Sequence, residues 1–133
     1  FCVSQATPLS SRSRILFIDH IPYVELLTYQ SLASVLVCPD KDNSYSHYVI
    51  HVKYFDALIS GRLVINGAFD SVKEINQDDF LSLTFEPSNI DDLYQKLKNC
   101  FESFESLSQK YKDAKSFTAE NLTYRSYIKQ LVG

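Results

Sequence analysis

Four short apolar runs, each followed by a segment of helical period, constrain this chain more than any other feature. "RILFI" (Arg14–Ile18), "SVLVCP" (Ser34–Pro39), "RLVIN" (Arg62–Asn66) and "FLSLTF" (Phe80–Phe85) are too short for helices and rich in strand-forming residues. After the first run, "HIPYVELLTYQSLA" changes period: Val24, Leu27, Gln30 or Ser31, and Leu32 fall at three-to-four spacing, and Pro22 suits a first helical turn. After the second, "DKDNSYSHY" reads as a polar loop with several candidate caps. A helix over about Tyr48–Ser60 follows and stops at Gly61, the residue expected just past a helix C-terminus. "GAFDSVKEI" predicts a glycine turn and a short helix. In "EPSNIDDLYQKLKNCFESF", Ser88 or Asn89 can cap a helix with Asp91 and Asp92 in its first turn and Leu93, Leu97, Cys100 and Phe104 on one face. From about Glu105 to Leu131 the spacing predicts one or two further amphipathic helices, broken near "FTAENLT".

Strands alternating with helices argue for βαβ units, and therefore for an α/β fold: a Rossmann-like parallel sheet with helices on both faces. Ligands of such sheets bind beyond the carboxyl ends of the strands. Those ends carry the loops Asp19–Pro22, Pro39–His47, Asn66–Asp70 and Glu86–Asn89. With 133 residues, nearly half of them apolar, the chain supports one packed core without metal or disulfide staples. Residues 1–13, polar and Ser-rich, read as a lead-in, truncated in this chain, and 14–133 as the domain.

Composition excludes several classes of function. The net charge is −3 and no segment gathers the Lys/Arg stripe that nucleic acid would require. Cys2, Cys38 and Cys100 are odd in number and widely spaced, which fits a reducing, cytoplasmic setting. No run approaches the ~18 apolar residues of a membrane span. His20, His47 and His51 have no Cys or carboxylate partners at metal-ligand spacing, so no metal is expected. The chain begins at Phe1 and contains no Met, so it reads as a piece of a longer protein.

The residue that asks for a function is Asp56, a carboxylate set among Val52, Phe55 and Ile59 on or beside the apolar stripe of its helix. Buried alone it would cost several kcal/mol or protonate. It is either an edge residue bonded to Lys53 one turn earlier, or a group that a ligand satisfies.

The order of segments, "RILFIDHIPYVELLTYQSLASVLVCP", then "VKYFDALISGRLVI", then "LTFEPSNIDDLYQKLKN", resembles the C-terminal nucleotide-sugar-binding domain of GT-B glycosyltransferases of the group 1 type. Those domains read as a strand with a G-x-V/I-P turn, then A-D-V-x-V-x-P-S, then P-L-K-x-F-E-x-L-A-x-G-K-P-V-I, a turn before P-E-I, and a P-x-D-x-x-x-L helix. The resemblance spans Arg14 to Leu131, and "K-x-F-D-A-L-x-S-G-R-L-V-I" is its most specific segment. In that family the acid of K-x-F-E closes an E-x7-E motif and accepts hydrogen bonds from the donor's ribose. The resemblance therefore implies this role for Asp56, with Lys53 beside it.

Tyr48 stands eight residues earlier, where the first Glu of the motif contacts the transferred sugar; this departure puts sugar choice and activity in question. Ser46 and His47 lie where a helix start would receive a phosphate, or serve as a cap and a solvated histidine. His20, Ile21 and Pro22 occupy the turn that flanks the base in the family, or form a plain strand-to-helix turn. Phe69, in the loop Gly67–Phe69, would fill space that the family leaves open. Glu74 matches the acid of P-E-I and reads as a brace.

The resemblance thus implies the donor-binding half of a hexosyltransferase-type enzyme. Its nucleoside-diphosphate sugar is a substrate and no cofactor is needed. Its acceptor-binding N-terminal domain is missing from this chain, so the chain alone would bind a nucleotide and transfer nothing. The longer protein would be cytoplasmic, with peripheral contact at the inner membrane face. Two rivals remain: a non-catalytic relative kept as a binding or scaffold module, and an unrelated doubly wound domain such as a receiver, for which only Asp19 and Asp40 could supply the acidic cluster.

Overall fold

A computed structural model describes residues 16–123 together with Arg125, Ser126 and Ile128. The lead-in 1–13 and the end of the chain expected to be helical lie outside these. In chain order the elements are α1 (Tyr23–Leu32), β1 (Val35–Cys38), α2 (Ser44–Tyr48), α3 (Val52–Ile59), β2 (Leu63–Gly67), α4 (Asp70–Ile75), a 3-10 turn (Gln77–Asp79), β3 (Leu83–Phe85), α5 (Ile90–Glu102), α6 (Phe104–Lys110) and α7 (Ala114–Asn121).

The three strands form one parallel sheet in the order β1-β2-β3, with Val35 opposite Leu63 and Ile65 opposite Leu83. The central strand, "LVING", is buried along its whole length, as a parallel strand covered on both faces must be. Its side chains alternate between two cores. Val64 joins Cys38, Tyr54, Leu58, Phe69, Val72 and Leu81 beneath α3 and α4, with Ala114 of α7. Leu63 and Ile65 join Leu83, Phe85, Cys100, Leu107 and Tyr111 beneath α5 and α6. The chain is therefore a mixed α/β domain, a parallel sheet flanked by helices, compatible with a Rossmann-like fold.

Local chemistry explains the boundaries. Asn89 caps α5 by accepting from the Asp92 N–H at 3.0 Å, and the Asp92 carboxylate accepts from the Glu86 N–H at 2.7 Å, so one helix start anchors the chain leaving β3. Gly61 follows α3 at φ +75°, the left-handed conformation that favours glycine.

Five expectations need correction. Leu16–Ile18 belong to no strand and are exposed: the described residues offer them no ladder. Helix α1 forms, but Val24, Leu27 and Leu32 of its apolar face stay open to solvent. The helix expected over Tyr48–Ser60 is two. Asn43 caps a separate α2 inside the supposed polar loop by accepting from the Ser46 N–H, and Val49 then turns extended. Strand β3 starts at Leu83 rather than Phe80, because the N–H groups of Leu81 and Ser82 are both taken by Asn76 Oδ1, at 2.8 and 3.2 Å. Phe104 opens α6 instead of extending the face of α5. The break expected near "FTAENLT" is present, at Leu122 after α7, and a further one lies at Tyr111–Asp113.

Candidate functional site

Asp56 sits in the second turn of α3, half-buried, and its partner is Tyr23: the phenol donates to Asp56 Oδ1 at 2.9 Å. Among the described residues Oδ2 has no hydrogen-bond partner. The hydrogen bond to Asp56 foremost, then desolvation and the carboxylate's charge, hold the Tyr23 phenol above its ordinary pKa. Lys53 is not the partner of Asp56. Its ammonium meets Asp40, whose side chain is only 10% exposed, just past the end of β1.

Tyr23 is the first residue of α1, directly after the turn His20–Ile21–Pro22. Pro22 is the N-cap at φ −57°, and the His20 N–H donates to the Asp19 carboxylate at 2.7 Å. Ile18, Asp19, His20, Ile21, Tyr23, Leu26 and Tyr29 line an open, largely apolar cleft of about 640 Å³. The hydrogen bond from Tyr23 therefore links this cleft to the carboxylate of α3, across 33 residues of sequence.

A second polar group surrounds α2. Ser46 is buried; its hydroxyl donates to the Lys41 carbonyl at 2.8 Å and its own carbonyl accepts from the Ser71 hydroxyl at 3.2 Å. His47 lies between two carboxylates, with Nδ1 3.0 Å from Asp70 and Nε2 3.2 Å from Asp42, and its ring stands edge-on to Phe69. These contacts, that with Asp70 foremost, raise its pKa above 6.5 against a smaller opposing effect of burial. Phe69 is 1% exposed and packs over Gly67, where any Cβ would run into its ring, so this glycine serves the packing of Phe69. Tyr48, at the end of α2, is 85% exposed.

Beneath Asp40, burial pushes the Cys38 thiol up to about 11, with Lys53 opposing, so it behaves as a small hydrophobe. His51 Nε2 is buried, with no hydrogen-bond partner among the described residues, 4.0 Å from Asp40.

The structure thus joins Asp56 to the Pro22 turn, Lys53 to Asp40, and Ser46 and His47 to the α4 start, in separate sets of contacts. Tyr23, Asp40, Asp42 and Asp70 are the residues that sequence reasoning did not single out as partners. Asp40, immediately after the second apolar run, is the one with a visible signal, since it stands at the carboxyl end of a strand. No helix among the described residues is long and apolar enough to cross a membrane. Comparison with protein-family models, with curated proteins and with solved structures finds no match for this chain.

Proposed function

We propose that this chain carries the donor-binding part of a glycosyltransferase of the GT-B kind, one that moves a sugar from a nucleoside-diphosphate sugar to an acceptor hydroxyl. The observation that supports this reading best is the bond between Tyr23 and Asp56. It sets the turn that would flank a base beside the carboxylate that would accept ribose hydroxyls, with an apolar, aromatic-lined cleft on the turn's side. A carboxylate is an acceptor of two oxygens, and a ribose diol supplies two donors. Under this reading the acceptor-binding half lies in another part of the protein, and the chain alone binds donor without transferring it.

A second reading has its own support: a relative that keeps the fold as a non-catalytic binding module. Phe69 closes the Gly67 loop, His47 is engaged by two carboxylates where a diphosphate would call for positive charge, and Tyr48 replaces an acid. Turnover of a nucleotide sugar by the complete protein, lost on Asp56→Ala, would sink it.

Ligand-observed NMR of the chain with UDP, GDP, ADP and dTDP tests the first reading. Selective ribose signals from one nucleotide, absent with Asp56→Ala, are expected. Silence from all four in a folded sample removes donor binding by this chain.

A further inference from the structure

We propose that Tyr23 is a positioning residue of this site: its hydroxyl fixes the Asp56 carboxylate to read a vicinal diol, while its ring walls the cleft that takes the attached planar base. The inference rests on the donor-binding reading above and adds to it a residue that reads the diol and the base together.

Tyr23 belongs to both halves of the site. Its ring lines the cleft beside Ile21, Leu26 and Tyr29, and its hydroxyl reaches Asp56 Oδ1 at 2.9 Å. Half of the side chain is open to solvent, so the ring is a surface on which a ligand can lie. Pro22 at φ −57° sets where α1 begins, and with it the place of the ring.

The carboxylate needs such a partner. Lys53, one turn away on the same helix, is committed to Asp40, so among the described residues Tyr23 is what restrains the Asp56 side chain. A phenol on one oxygen occupies one of about four lone-pair positions, which leaves capacity on both oxygens for two hydroxyls in a fixed orientation. An unrestrained Asp would have to be ordered by the ligand itself, at a cost in affinity.

A fastening role is the alternative, because α1 buries no side chain and, among the described residues, its other polar tie to the rest of the fold is from the Arg62 guanidinium to the Ser31 carbonyl. The two roles differ in what they predict. A fastener for α1 would alter binding of every ligand alike, whereas a residue that orients Asp56 alters discrimination between ribose and 2′-deoxyribose.

The test measures binding of UDP, GDP and ADP, each against its 2′-deoxy form, to the full chain and to Tyr23→Phe, Tyr23→Ala and Asp56→Ala. For the base that binds, Tyr23→Phe is expected to weaken the ribonucleotide about three- to ten-fold, the worth of one hydrogen bond, and to leave the deoxy form nearly unchanged. Tyr23→Ala weakens both forms, because the wall goes with the hydroxyl. If Tyr23→Phe leaves the ribose preference intact while Asp56→Ala abolishes it, the role of Tyr23 is overturned and the donor-binding reading stands. Tighter ribonucleotide binding by Tyr23→Phe would mean that the phenol competes with the diol, and overturns it equally. If no nucleotide binds the folded wild-type chain, the donor-binding reading fails and the inference falls with it.

Discussion

Helices α1 and α3 have similar apolar content in sequence and opposite fates in the fold. The α3 helix buries Tyr54, Ala57 and Leu58 against β2 and packs along α7; α1 is two residues longer, carries Val24, Leu26, Leu27 and Leu32, and buries none of them. Helical periodicity states that a face exists. It does not state what covers that face. Asp56 and Tyr23 join the two, so the candidate site lies where a firmly packed helix meets one held by polar ties.

Truncation of matching leucines would break this comparison most directly. Leu58 is 1% exposed inside the α3 core, and Leu58→Ala is expected to cost about 2–5 kcal/mol through lost transfer energy and the cavity left behind. Leu27→Ala, on the open face of α1, is expected to stay within about 0.5 kcal/mol. Urea unfolding midpoints at constant slope give both values. A Leu27→Ala cost equal to that of Leu58→Ala would mean that α1 is covered in solution.

The second test sharpens what holds α3's side of the sheet. Tyr54 reaches from α3 to the Ser82 hydroxyl at 2.8 Å, and Ser82 belongs to a network centred on buried Asn76. Asn76 Oδ1 accepts from the Leu81 and Ser82 N–H groups, and its amide donates to the Ser82 carbonyl at 3.1 Å. Asn76→Ala strands two buried N–H groups and is expected to cost about 2 kcal/mol or more, given roughly 1–3 for each unpaired group. Hydrogen exchange should rise first at Leu81 and Ser82. Unchanged exchange there, with full stability, would show that the network is dispensable.

Asn76 also marks the limit of what the sequence made legible. The strand–helix alternation, the parallel sheet, the stop at Gly61 and the capped α5 are all local signals: period, cap and glycine lie within one turn of where they act. What stayed hidden depends on pairs more than one turn apart in the chain, from five residues to 33. A run such as "FLSLTF" looks like one strand until a side chain at position 76 takes two of its backbone donors. "DKDNSYSHY" looks like loop because α2 is only five residues long and is held by contacts with Ser71 and Asp70 rather than by an apolar stripe. Asp56 was visible as an oddity, yet its partner lies 33 residues away, and Lys53, which spacing favoured, pairs instead with Asp40.

Between α1 and α3 stands α2, which buries only Ser46, and here the expected effect is smallest and depends on pH. His47 faces Asp42 and Asp70, edges onto Phe69, and shares Asp70 with Lys73 at 3.7 Å. A neutral imidazole has one N–H, so hydrogen bonds to both carboxylates require the imidazolium. The folded pKa is raised above 6.5, chiefly by the Asp70 contact. The folded state therefore binds the proton more tightly than the unfolded chain. His47's contribution is fully present below about pH 6.5 and is lost as pH rises through the folded value. Urea midpoints of the wild type and His47→Gln should lie apart below about pH 6.5 and converge as pH rises through the folded value, with exchange in α2 quickening over the same interval. Asp70→Asn should shrink the pH-dependent part without removing it, because Asp42 remains. A gap between wild type and His47→Gln that does not change with pH would mean that the ring holds α2 by packing on Phe69 alone, placing α2 with α3 rather than with the polar-tied α1.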